Sequence, residues 1–265
     1  MTTLRSRLTC LAAGLAISMV TSAALAADAT PAAAPAAPYS VPAGVPAAIK
    51  KAVENPSRPE AHRARDAVRK PAELLALSGV KPGDKVVEIA SFGQYFTTLL
   101  SDVVGPTGQV FMYDLPYTEA RAGEASRKFV AEHKNAKYEI VDYNAIQLPK
   151  DVDSVFMVLY YHDLPINKID VAAFNKKVLA ALKPGGTYFI VDHNAKPGMT
   201  LEESLKVHRI DPKIIRDEVT AAGFELAQQS NLLAHAADDR TQGPFTPGLR
   251  GMTDQSVLVF RKPKK

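Results

Sequence analysis

Only one cysteine occurs in the 265 residues, Cys10, and it sits inside the first apolar stretch of the chain. Once that stretch is removed, a disulfide, a thiolate nucleophile and a cysteine-ligated zinc cluster are all excluded. Charge of one sign is equally scarce. The net charge is +4, and loss of residues 1–26 takes away Arg5 and Arg7 but no acid, leaving about +2. That balance does not suit a nucleic-acid binder. There is no internal repeat and no His-Glu-x-x-His spacing; His162, Asp163, Asp192 and His193 are the nearest approach to a ligand set, and no metal is expected. What remains is 46% hydrophobic and 23% charged, with 15 glycines and 19 prolines, the make-up of one large folded domain or two small ones.

Long apolar runs are confined to the beginning. Arg5 and Arg7 precede Leu8 to Val20, and Ala24-Leu25-Ala26 supplies the small residues a signal peptidase requires, so residues 1–26 read as a secretory signal peptide. The competing reading is an uncleaved anchor, because Leu8 to Ala26 just reaches the length of a membrane span. Residues 27–48 are dominated by alanine and proline and read as a linker. The expected address is periplasmic or secreted, with no membrane span after cleavage.

From residue 49 on, the folded domain begins. Pro59 to Leu77 shows helical spacing divided at Pro71, and Lys81-Pro82-Gly83-Asp84 makes a turn into the strand Lys85 to Ala90. Apolar runs at Val110 to Tyr113, Tyr138 to Val141 and Val155 to Tyr160 predict three more strands, with helices at Tyr95 to Val104 and Thr118 to His133. A helix from Lys168 to Leu182 ends in Lys183-Pro184-Gly185-Gly186 before a fifth strand, Thr187 to Asp192. Residues 211–222 predict a helix closed by Gly223, and Phe224 to Gln229 and Ser256 to Phe260 complete seven strands. Continuous apolar strands alternating with helices mean an α/β, doubly wound and mostly parallel sheet.

Ligands bind such sheets beyond the carboxyl ends of the strands. Those ends are polar here: Glu88, Asp114, Asp142, Tyr160-Tyr161-His162-Asp163 and Asp192-His193. An acid at the tip of the second strand can accept hydrogen bonds from both hydroxyls of a ribose, which suits Asp114, and Asp142 can accept from an adenine amino group. The alternative reading of each is a solvated loop acid.

Lys81-Pro82-Gly83-Asp84 before the first strand, Val104-Gly105-Pro106-Thr107-Gly108 before the second and Leu182-Lys183-Pro184-Gly185-Gly186 before the fifth together resemble the class I S-adenosylmethionine-dependent methyltransferases over residues 60–262. Tyr161-His162-Asp163-Leu164, Asp192-His193, His208-Arg209-Ile210-Asp211, Asp238-Asp239-Arg240 and Arg250-Gly251-Met252-Thr253-Asp254 are similar to a group of exported bacterial predicted methyltransferases. The resemblance implies a Rossmann-like fold with a final antiparallel strand, S-adenosyl-L-methionine as cofactor, and cofactor contacts at Glu88, Ala90, Phe92, Gly93, Asp114, Asp142 and Tyr160. The chain departs from that pattern after the first strand. Ala90-Ser91-Phe92-Gly93-Gln94 holds a single glycine where the family usually has several, and Phe92 stands on the cofactor's approach path.

In the same frame His162 is the candidate general base, with Asp163 beside it to orient it. His193, His208 and Arg209 would line the acceptor side, Arg209 clamping an anionic group through its planar fork. The alternative for His162 is a hydrogen bond to loop backbone, and Asp211-Pro212 reads as a helix cap and first turn. Three functions follow in order: an exported methyltransferase acting on a small-molecule or envelope-associated acceptor, a catalytically degenerate binder on the same scaffold, and an NAD-type oxidoreductase.

Overall fold

Both faces of the first strand are apolar, and both are covered: Val87 and Ile89 enter one core, Val86 a second. The computed structural model describes residues 39–264, so the signal peptide and residues 27–38 of the linker lie outside the described residues. Seven strands follow in chain order: β1 (Lys85–Ile89), β2 (Gln109–Asp114), β3 (Ala136–Ile140), β4 (Val152–Val158), β5 (Leu182–His193), β6 (Glu225–Ser230) and β7 (Gln255–Arg261). They form one sheet in the order β3-β2-β1-β4-β5-β7-β6. All run parallel except β7, which is antiparallel to both β5 and β6. The chain therefore winds outward in opposite directions from β1 and β4, and a crevice opens at their carboxyl ends.

Helices α1 (Ala47–Val53), α4 (Pro71–Ser78), α5 (Tyr95–Val104) and α6 (Glu124–Glu132) lie on one face, where Leu74, Leu99 and Val103 meet Val110, Phe156 and Phe189. On the other, α8 (Val171–Ala181) and α10 (Pro212–Ala221) bring Phe174, Val178, Ile215 and Val219 against Val155, Tyr188 and Leu258. Each such side chain contributes about 1.5–3 kcal/mol by leaving water. Short helices α2 (Glu60–Arg63), α3 (Asp66–Arg69), α7 (Asp163–Ile166) and α9 (Leu201–Lys206) sit in the connections. Asp211 caps α10 as expected, accepting from the Lys213 N–H at 2.7 Å.

Four expectations are corrected. The linker does not extend to Ala48: the Tyr39 hydroxyl bonds Glu73 and accepts from the Ala72 N–H, and α1 starts at Ala47 with Ile49 and Ala52 buried. The tyrosine and isoleucine supply the apolar area that the alanines lack. The helical stretch before β1 breaks in three rather than two, and its last break is at Lys70, left-handed at φ +45° immediately before Pro71. The helix expected from Thr118 opens instead as a 3₁₀ turn, Pro116–Thr118, and a π-helical turn, Glu119–Gly123. Finally, Lys183 to Gly186 is not a turn before β5 but a bulge within it, where the register with β4 shifts between Val152 and Ser154. Among the described residues no helix is long and apolar enough to cross a membrane.

Candidate active site

The loop after β1 achieves a glycine-like backbone with one glycine. Ala90 (φ +62°), Gly93 (φ +90°) and Gln94 (φ +48°) are all left-handed, a conformation that strains a residue carrying a Cβ. Two tyrosines hold it there. The Ala90 N–H donates to the Tyr113 carbonyl at 2.9 Å and to the Tyr143 hydroxyl at 3.1 Å, while that hydroxyl donates to the same carbonyl at 2.8 Å. Tyr143 is fully buried and was not singled out in the sequence, since nothing local ties it to a loop 53 residues earlier.

That loop grips Asp114 at the tip of β2. The Ser91 hydroxyl and the Phe92 N–H each donate to Asp114 Oδ1 at 3.2 Å. Oδ2 is buried with no partner; the Tyr138 hydroxyl is near enough to favour the carboxylate without completing a hydrogen bond. Burial raises the Asp114 pKa against the pull of Ser91 and Tyr138. A buried carboxylate oxygen with no completed hydrogen bond is costly, so this atom, beside the equally unpartnered Tyr138 hydroxyl, fits a ligand hydroxyl. Glu88, at the end of β1, accepts from Thr97 Oγ1 at 2.5 Å, and burial pushes its pKa up to about 8.

The other expected cofactor residues are spread along the same edge. Gly93 is exposed; a Cβ there would meet nothing within 4 Å, so its backbone angle rather than crowding calls for glycine. The half-buried Phe92 ring meets Tyr160 edge-on at 6.0 Å, with Arg121 Cζ 4.8 Å from its centroid. Tyr160 is buried and shares its hydroxyl with Tyr117 and Asn167. Asp142 is exposed, and one oxygen is taken by the Asn144 N–H at 2.8 Å.

On the β4 and β5 side four titratable side chains form a line from surface to core. His208 Nδ1 is 3.1 Å from Asp163 Oδ1, which is 3.3 Å from His162 Nε2; His162 Nδ1 is 2.7 Å from Asp192 Oδ1. Asp192 also accepts the His162 and His193 backbone N–H groups at 2.8 and 2.7 Å. Burial alone would depress the His162 pKa, but Asp192 and Asp163 outweigh it and hold it above the ordinary value. Burial likewise opposes ionisation of Asp192, and His162 overcomes it. His162 is thus not bonded through its ring to loop backbone. One atom each from His162, Asp163 and His208 lie within 4.8 Å of one another; when the ring is protonated at both nitrogens, Nδ1–H points to Asp192 and Nε2–H faces Asp163.

Two acceptor-side expectations are overturned. Arg209 is fully buried, and its guanidinium is committed: a fork to Asp238 at 2.8 and 3.0 Å, with carbonyls of Gln242 and Asn194 taking further N–H groups. No fork is left to clamp a substrate. His193 is buried, its Nδ1 2.8 Å from Thr253 Oγ1, and burial drives its pKa down to about 3. It is wall rather than acceptor contact. His208, with 38% of its side chain exposed, does face outward.

Comparison with known proteins agrees with this architecture. The sequence model described as the ubiE/COQ5 methyltransferase family matches residues 66–212. The chain is 25% identical over 189 residues to the ubiquinone/menaquinone biosynthesis C-methyltransferase UbiE of Saccharophagus degradans, covering 71% of this chain and 72% of that one. A SAM-dependent methyltransferase from Aquifex aeolicus superposes with a TM-score of 0.52 at 18% identity, covering 74% and 97% of the two chains. Aeropyrum pernix fibrillarin, solved with natively bound S-adenosyl-L-methionine, gives 0.50 at 15% identity over 74% and 76%.

Proposed function

The chain belongs to the ubiE/COQ5 methyltransferase family and is an S-adenosylmethionine-dependent methyltransferase, and from that premise we propose that it is exported and methylates a small or envelope-associated acceptor whose nucleophile must first lose a proton. The observation that carries this reading is the line His208, Asp163, His162 and Asp192, lying at the same sheet edge as the donor-seeking oxygen of Asp114.

When bound, S-adenosylmethionine supplies an electrophilic methyl group on a sulfonium. The protein's own work is alignment and proton removal. Asp114 Oδ2 would accept from the ribose, Asp142 would accept from the adenine amino group through its other oxygen, and the strained Ala90 to Gly93 loop together with Glu88 would shape the methionine side. Phe92 and Tyr160 form an aromatic wall. The acceptor's proton is taken at the mouth, where Asp163 and His208 meet solvent, and comes to rest on His162 Nε2. Asp192 fixes the tautomer by holding Nδ1–H and stabilises the imidazolium that results. A chain needing such a base suits hydroxyl or activated ring-carbon acceptors, consistent with the quinone biosynthesis for which the Saccharophagus relative is named.

The test is calorimetry on the mature chain with S-adenosylmethionine and its demethylated product. Micromolar binding is expected, and no heat at millimolar ligand overturns the reading. For export, the mass of the protein from a periplasmic fraction is expected to begin at Ala27; an intact Met1 in the cytosol overturns it.

A further inference from the structure

Three guanidinium groups outside the site described above gather on one side of the crevice without a counterion. Arg65 and Arg69 stand one helical turn apart around α3, their Cζ atoms 5.3 and 4.7 Å from the centroid of the Tyr95 ring. Arg250 arrives from the loop before β7. That loop is pressed onto α3: Gly251 has φ +82°, and a Cβ there would come within 3.2 Å of Val68. Among the described residues none of the three makes a salt bridge or a side-chain hydrogen bond, whereas Arg58, Arg127, Arg209 and Arg240 are each paired with a carboxylate.

Asp66, between Arg65 and Arg69 in the chain, is already committed. Asp66 is saturated by the Arg58 fork, at 2.8 Å to each oxygen, and by the Tyr95 hydroxyl at 2.6 Å. Like charges one turn apart on a helix repel, more so where Arg65 and Arg69 are half-buried; Arg250 is exposed. Burial brings the Arg69 pKa down to about 10, with Arg65 and Arg250 pushing the same way. Arg69 is also close enough for its charge to act on Glu88 at the end of β1 and on His193 at the end of β5. Tyr95, the ring these two arginines flank, opens α5 directly after the Ala90 to Gln94 loop, so the cluster stands beside the carboxyl end of β1.

We propose that Arg65, Arg69 and Arg250 bind an anionic oxygen group, phosphate or carboxylate, carried by the methyl acceptor. Planar forks suit such groups, and an anion relieves the repulsion among the three cations. That the anion belongs to an acceptor rests on the methyltransferase reading; the anion site itself does not.

The probe is inorganic pyrophosphate, titrated calorimetrically into the full mature chain first without cofactor and then at saturating S-adenosylhomocysteine. Binding is expected in both arms. It should weaken at least tenfold in Arg69→Gln and in Arg65→Gln, and stay unchanged in Arg63→Gln, an exposed arginine of α2. Arg69→Gln should melt no lower than the parent at low salt, since it removes a like charge, so lost binding cannot be blamed on unfolding. Absence of binding in the cofactor-free arm, or equal loss in Arg63→Gln, overturns the site. Binding that disappears only when S-adenosylhomocysteine is present assigns the cluster to the cofactor's own carboxylate and overturns the acceptor proposal. A protein that binds pyrophosphate but no S-adenosylmethionine keeps the anion site and removes the methyltransferase reading instead.

Discussion

The two halves of the sheet's carboxyl edge handle their acids in opposite ways. At β1 and β2, Glu88 and Asp114 are buried with too few partners: burial raises both pKa values, and one Asp114 oxygen has no donor. At β4 and β5, Asp192 is equally buried, yet two backbone N–H groups and the His162 ring satisfy it, and its pKa falls. An acid missing donors is prepared to receive a ligand, whereas one with every donor supplied is prepared to hold a proton on its neighbour. In the proposed reading, then, the same residue type at the carboxyl tips of β2 and β5, with β1 and β4 between them, serves binding on one side and chemistry on the other.

The largest test of that contrast is His162→Ala. A placed base is worth about 10²–10⁴ in rate, so turnover should fall by that factor while calorimetric affinity for S-adenosylmethionine is unchanged. Lost affinity with intact turnover would invert the assignment of the two halves. The pH profile carries the same information. Because His162 titrates above its ordinary value in the folded protein, its charged form stabilises the fold below about pH 6.5, and that stabilisation is lost as pH rises through the folded pKa. The neutral base appears over the same upper interval, so turnover should rise there as stability declines.

Next in size is Arg209→Met. Removing one member of a buried, forked ion pair costs about 3–5 kcal/mol, so the melting temperature should drop sharply with the KM of the acceptor unaltered. A raised KM without destabilisation would return Arg209 to the acceptor site. Asp114→Asn follows. It keeps the size of the side chain and removes the charge, and hydrogen bonds to a charged group are worth about 1.5–3 kcal/mol, so cofactor affinity should weaken roughly tenfold to a hundredfold. Since the orphaned, buried oxygen is relieved of its charge, the free protein should become no less stable. A stability loss with unchanged affinity would make Asp114 a structural acid.

Why some of this could be read from residues and some not comes down to sequence distance. The strands announce themselves as runs such as Val86-Val87 and Phe189-Ile190-Val191, and their polar tips follow directly, so Asp114, His162 and Asp163 could be placed at the carboxyl edge of the sheet from the chain alone. The Arg209 fork could not, because Asp238 lies 29 residues on and nothing local distinguishes a free guanidinium from a paired one. His208 and Asp163 meet across 45 residues, and Asp192 could be seen at its strand tip but not its role beneath His162. Ala90 is the subtler case. The residues show one glycine in that loop, but not that Ala90 and Gln94 adopt positive φ all the same, Ala90 held by a tyrosine 53 residues later. Composition likewise hid the packing of Tyr39, whose hydroxyl ties the supposed linker to α4.

The smallest expected effect separates a proton from a cation at the β4 and β5 end. His162, Asp163 and His208 converge closely enough to hold a metal ion, but a ligating His162 Nε2 must be free of its proton, whereas two flanking aspartates stabilise the imidazolium. A cation and that proton cannot share the atom. Dialysis against a strong chelator should therefore leave turnover and melting temperature as they were, and added zinc should inhibit by occupying Nε2 of the neutral ring where the acceptor's proton would come to rest, less so as the pH falls and protons compete for that atom. Activity that is lost to the chelator and restored by the metal alone would convert this half of the edge from a proton store into a ligand set, and the contrast with β1 and β2 would disappear.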